Sequence, residues 1–129
     1  MRYLVSAMLI IVGVIHLLPL SGVLGAARLG VLYGIPVDEP NLEILMRHRA
    51  VLLGLLGAFL VYAAFRPGYR LLALVAGFVS VASFLCLAWS VGDYNTAVRR
   101  VFTADIVALG CLVIGAVAHW RLDAPPGAR

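Results

Sequence analysis

The chain predicts an all-α integral membrane fold, a four-helix up-down-up-down bundle, on three observations. Of its 129 residues, 64% are hydrophobic and 12% charged, and the mean hydropathy is +1.06. A soluble domain of this size cannot hide that much apolar surface. Four windows reach the roughly 20 apolar residues that a membrane-spanning helix needs. The stretches between those windows are rich in glycine, proline and turn residues, as in Gly34 to Pro40, Arg66-Pro67-Gly68 and Gly92 to Thr96. The formal net charge of +4 rests on ten arginines and no lysine, which disfavours chemistry that needs an amine nucleophile. In a chain this apolar, basic residues report membrane topology, so no nucleic-acid partner is expected. The length suits one domain, residues 1–122, followed by a flexible tail over 123–129.

The first window runs from about Arg2 to Val23 and is broken near Pro19. It begins like a secretory signal, with one Arg and a long apolar run. It has no clear Ala-x-Ala exit, however, and it carries His16, so it is expected to be retained as a helix. The connection from Leu24 to Pro40 is the longest. Its Ala26–Gly34 portion predicts a short interfacial helix ending at Gly34. Pro40 suits the start of the second span, about Asn41 to Phe65, with Asp38 and Glu39 at its positive end. Arg66-Pro67-Gly68 is a tight turn into the third span, about Tyr69 to Val91. Gly92 to Thr96 is a turn in which Asn95 or Thr96 can cap the fourth span, about Ala97 to Trp120. Cys86 and Cys111 lie inside apolar runs without a Cys-x-x-Cys and read as small hydrophobes.

Four spans put both termini on one side. That side carries Arg2, Arg66, Arg70, Arg121 and Arg129 against Asp123, and the opposite loops carry Arg28 against Asp38, Glu39 and Asp93. The positive-inside rule then predicts a multi-pass inner-membrane protein with both termini cytoplasmic. Arg47, Arg49, Arg99 and Arg100 oppose this reading and are taken as lodged in helix ends.

Polar residues collect in the outer half of the predicted bundle. His16 lies about 20 Å along the first helix at about 1.5 Å per residue. Glu43, Arg47, Ala50, Gly54, Gly57 and Ala58 share a stripe, and small residues at that spacing let membrane helices approach closely. The stripe therefore predicts that Glu43 and Arg47, an i,i+4 pair, face the interior. Arg49 is set about 200° from Arg47 and is expected to reach headgroups or another helix. Asp105 is the deepest carboxylate and has no cation at i−3 or i−4, so a partner across the bundle is expected, on the second helix or at His16, and a contact with Arg47 or Arg49 is predicted. The candidate catalytic residues are His16, Glu43, Arg47 and Asp105, and the candidate ligand-binding residues are Arg49, Asn95 and Arg99. Ordinary structural roles compete with each. An Arg–Asp pair can lock two helices, His16 can be a hydrogen-bonding helix residue, Arg99-Arg100 can hold lipid phosphates, and Asn95 belongs first to its turn. His119 sits in an interfacial belt and is given no site role. No metal ligand set is assigned and no cofactor is predicted. Haem is a minor option on His16 and His48, which lack an i,i+4 His partner or a nearby Cys.

The run Ile15–Gly25, the run Pro40–Leu52, and Tyr94-Asn95 followed by Arg99-Arg100-Val101 and Ala104-Asp105 together resemble a group of short bacterial four-helix membrane proteins, DoxX-like in design. The resemblance covers nearly the whole chain except the tail. It implies the fold and carries no activity. Some members bear the label phosphopantetheine adenylyltransferase, against which the residues argue. Those enzymes are soluble α/β nucleotidyltransferases with a His-x-Gly-His motif, and this chain has neither that motif nor strand–helix alternation.

The functional expectation is a polar intramembrane pocket near the outer face that binds or acts on a small, partly apolar or anionic molecule. Arg47 would fix an oxygen, His16 or Glu43 would act as acid or base, and Asp105 would orient the Arg. The alternative is a non-enzymatic membrane subunit or accessory protein whose charge cluster is structural. Its small-residue faces would then meet another helix or a second copy. Membrane lipid is a partner in either case.

Overall fold

The computed structural model describes residues 1–123, and the tail expected to be flexible lies outside these except for Asp123, which ends the last helix. The described residues are helical almost throughout. The helices are α1 (Arg2–Leu17), α2 (Ala26–Tyr33), α3 (Pro40–Ala64), α4 (Arg70–Val91) and α5 (Thr96–Asp123), with 3-10 segments at Leu18–Leu24 and Pro67–Tyr69. Four stretches are long and apolar enough to cross a membrane: Arg2–Leu24, Pro40–Ala64, Pro67–Val91 and Thr96–Leu122. This is the all-α four-helix membrane bundle that composition and hydropathy predict, and the protein is a multi-pass membrane protein.

Local chemistry sets the helix ends. Pro19 has no N–H to continue the α-helical ladder, so α1 stops at Leu17 and the chain tightens into a seven-residue 3-10 run. Gly25, at φ 130°, ends that run in a conformation side chains rarely adopt. The short helix expected over Ala26–Gly34 is α2, stopped by left-handed Gly34 at φ 65°. Pro40 opens α3, and the Glu39 carboxylate accepts from the Asn41 and Leu42 backbone N–H groups at 3.0 and 2.8 Å. Those bonds hold the Glu39 carboxyl below its usual range. Asn95 caps α5, its Oδ1 accepting from Val98 N–H at 2.9 Å. Its Nδ2 donates to the Tyr33 and Gly34 carbonyls at 2.8 and 3.3 Å, tying α2 to the head of α5.

The long helices form a ring in chain order. α1 contacts α3 and α5 most heavily, α4 contacts α5 and α3, and α3 and α5 face each other across a diagonal without meeting. Val5, Leu9, Val12, Leu60, Leu74, Val81, Ala108 and Leu112 belong to the core between them. A smaller cluster of Leu29, Tyr33 and Val37 seats α2 on α3 and α5. The α1–α3 crossing is close because both sides are glycine. A Cβ on Gly57 would meet the Gly13 carbonyl oxygen at 2.8 Å, and one on Gly13 would meet the Gly57 oxygen at 2.9 Å. Ala50, Gly54 and Gly57 are buried along this seam, as their stripe predicts, but Ala58 is exposed.

The end of the bundle away from α2 was expected to hold little comparable to the polar cluster. It holds Arg70, counted from sequence only among the charges that set topology and in fact only 5% exposed. Its Nη2 donates to Ser6 Oγ at 2.7 Å and to the Ala64 carbonyl at 2.9 Å, and Ser6 Oγ donates to the same carbonyl at 2.7 Å. The guanidinium thus joins α4 to α1 and satisfies a carbonyl at the negative end of α3.

Candidate functional site

Four polar residues lie at one level. Arg49 comes nine residues after Pro40, Asp105 nine after Thr96, Ser80 eleven before Val91, and His16 eight before Leu24. At about 1.5 Å per residue, each lies about 12–17 Å below the end that carries α2, near the middle of a span. Ionisable groups at such depth are costly unless they meet a partner, water or a ligand. They line a half-open cavity of about 420 Å³, within the 300–1,000 Å³ range typical of small-molecule sites.

The rest of the wall is mainly apolar: Ile15, Leu18, Leu53, Phe84, Leu87 and Val101. Arg49 Nη1 donates to the Tyr33 hydroxyl at 2.6 Å. Its Cζ lies 5.3 Å from the Tyr33 ring centroid and 5.9 Å from that of Phe84, so two aromatic faces hold the guanidinium. His16 is 4% exposed. Its Nδ1 lies 2.9 Å from the Val12 carbonyl oxygen and its Nε2 3.1 Å from Ser80 Oγ. Asp105 borders the same space from α5. The expected contact of Asp105 with Arg47 or Arg49 is not made as an ion pair; Asp105 shares only the cavity wall with Arg49. Among the described residues the one ion pair within 4.0 Å is Arg47–Glu43, at 3.3 Å. Arg49 and Asp105 thus border one cavity without forming an ion pair.

Of the seven residues singled out by sequence, His16, Arg49 and Asp105 converge here. Glu43, Arg47, Asn95 and Arg99 stand outside the cavity lining. The inward assignment of Arg47 is corrected. Its side chain is 48% exposed, and its Nε donates to the Val23 carbonyl at 2.9 Å, the last turn of the 3-10 run. It thereby satisfies a backbone group left over where α1 breaks. Glu43 steadies it. The physical reason is that α3 presents the Ala50–Gly54–Gly57 seam to α1, and Arg47 and Arg49 lie on opposite flanks of that seam. α4 occupies the Arg49 flank. Arg99 is exposed, and its neighbour Arg100 borders the cavity instead. Tyr33 and Ser80 join the site without having been selected. Ser80 carried a signal, as a polar residue midway along an apolar span. Tyr33 carried one in its position just before a helix-ending glycine. His48, named with His16 for haem, is exposed on α3, and among the described residues no group of three His, Cys, Asp or Glu side chains gathers to hold a metal ion.

Comparison with family models, curated proteins and solved structures returns no match, so the functional argument rests on this geometry.

Proposed function

We propose that the protein is a membrane-embedded binding protein for a small, largely apolar molecule with one oxygen-bearing head group. The supporting observation is the cavity between α3 and α5, apolar over most of its wall, with Arg49 and Asp105 facing it from opposite sides and not paired with each other. Arg49 takes the anchoring role first assigned to Arg47, because it borders the cavity and a guanidinium offers further N–H donors in a rigid fork. An anionic or carbonyl oxygen on the ligand accepts from that fork, and the apolar body lies against Leu53, Phe84, Leu87 and Val101. Asp105 meets a donor on the same head group. We place the cavity in the outer-leaflet half of a bacterial inner membrane, with both termini cytoplasmic, on the arginine distribution of the loops. The fold resembled by sequence, short and DoxX-like, agrees with this design and adds no ligand.

The test is mass spectrometry of small molecules copurifying in mild detergent with the wild type, Arg49→Ala and Arg47→Ala. A discrete compound retained by the wild type and Arg47→Ala but lost from Arg49→Ala is expected. Equal retention by all three, or no compound with any, refutes the reading. The accessory-subunit reading draws support from Arg47 and Arg70, whose bonds are structural, but it leaves the cavity that Arg49 and Asp105 border unpaired without a use.

A further inference from the structure

Serine hydroxyls in this bundle satisfy backbone carbonyls, as is usual inside helices. Ser6 donates to the Arg2 and Ala64 oxygens, Ser21 to Leu18, Ser83 to Ser80 and Ser90 to Leu87. Ser80 is the exception among the described serines, since its hydroxyl meets the His16 imidazole at 3.1 Å. The direction of that bond follows from the other side of the ring. Nδ1 lies 2.9 Å from the Val12 carbonyl oxygen, which can only accept, so Nδ1 carries the hydrogen. In the neutral ring Nε2 then offers a lone pair, and Ser80 Oγ–H donates to it. Nucleophile, base and the group that orients the base are thus aligned, and both side chains border the cavity that Arg49 also faces.

We propose that Ser80 and His16 form a nucleophilic dyad for acyl transfer from a lipid-soluble ester, resting on the reading of this cavity as a site for a small, largely apolar molecule. Ser80 Oγ bonds to the ester carbonyl carbon while its proton passes to His16 Nε2 and the carbonyl π pair moves onto oxygen. The developing oxyanion faces the Arg49 guanidinium, a fixed donor in a water-poor site. Collapse breaks the bond to the alkoxy group, which leaves as an alcohol with the proton from Nε2, and Ser80 holds the acyl group. Water, giving a proton to Nε2, then attacks the acyl carbon. The carboxylic acid leaves and the proton returns to Ser80 Oγ.

The experiment treats the full chain in mild detergent with a fluorophosphonate bearing a long alkyl chain and reads intact mass and labelled peptide. One adduct on Ser80 is expected. Ser80→Ala abolishes it, His16→Gln slows labelling about 100-fold or more, and Ser90→Ala labels at the wild-type rate. The melting temperature of Ser80→Ala, and its retention of the compound that depends on Arg49, show that the variant is folded. An unlabelled wild type that still retains an Arg49-dependent compound overturns the dyad and leaves the binding site standing. An adduct that persists in Ser80→Ala, or that maps to another residue, overturns the dyad as well. Loss of Arg49-dependent binding with Ser80 still labelled counts against the binding reading and supports the dyad.

Discussion

Arg49 donates to the Tyr33 hydroxyl and lies between two aromatic rings, whereas Arg47, two residues earlier, donates to the Val23 carbonyl and pairs with Glu43. One side chain is presented to a cavity and the other closes a break in α1. Truncating each should separate the two roles. Arg47→Ala is expected to lower the melting temperature with ligand retention unchanged, and Arg49→Ala to lose the ligand, as thermal melts and copurification would record. Arg70 has a third role. It is buried, its Nη2 serves Ser6 and Ala64, and its Nε makes no bond. Arg70→Met leaves the Ala64 carbonyl with Ser6 alone, and a loss of about 1–3 kcal/mol is expected from removing a charged hydrogen-bonding group. A denaturation series in detergent measures it, and an unchanged midpoint would contradict the structural role. Glycines divide in the same way. Gly57→Ala drives a Cβ against the Gly13 backbone and should destabilise the α1–α3 seam. Gly110→Ala meets nothing within 4 Å in mid-helix and should be neutral or stabilising by about 0.5–1 kcal/mol.

At the scale of elements, α3 and α5 begin at caps that titrate or break independently of the membrane interior. The Glu39 carboxyl is held low by two N–H donors of α3. A group with a lowered folded pKa contributes its stability above its unfolded pKa and loses it as the pH falls through the folded one. The start of α3 should therefore be constant in stability at neutral pH and weaken only in acid, below the ordinary glutamate range. Glu39→Gln should remove that acid dependence, which hydrogen exchange at Leu42 and Glu43 across a pH series would follow. Asn95 caps α5 and also holds the end of α2. Asn95→Ala should cost about 1 kcal/mol as a lost cap and raise exchange in α2, whose other attachment is a small apolar cluster. Faster exchange confined to α5 would show that the bridge to α2 is unimportant.

For the whole molecule, much of this arrangement was legible in the chain for a physical reason. A membrane span is a sum over about 20 residues, so hydropathy finds it without tertiary knowledge. Gly34, Glu39-Pro40 and Asn95 act on their own neighbours, and their roles as stop, start and cap could be read locally. The flank of α3 that faces α4 could not. Helical phase put the glycine seam inward, but Arg47 and Arg49 straddle it, and only the handed order of the ring decides between them. Arg70 was hidden for a similar reason, because a cation just after a turn reads as solvated until Ser6 and Ala64 arrive from other helices. The cavity is a product of the diagonal separation of α3 from α5, which no single segment encodes. The most direct test of this account is a crystal structure of the protein grown from a lipid mesophase, resolving side chains between those two helices. Non-protein density bridging Arg49 and Asp105, with Arg47 on the Val23 carbonyl, is predicted. A direct Arg49–Asp105 ion pair with no space between them would contradict the account.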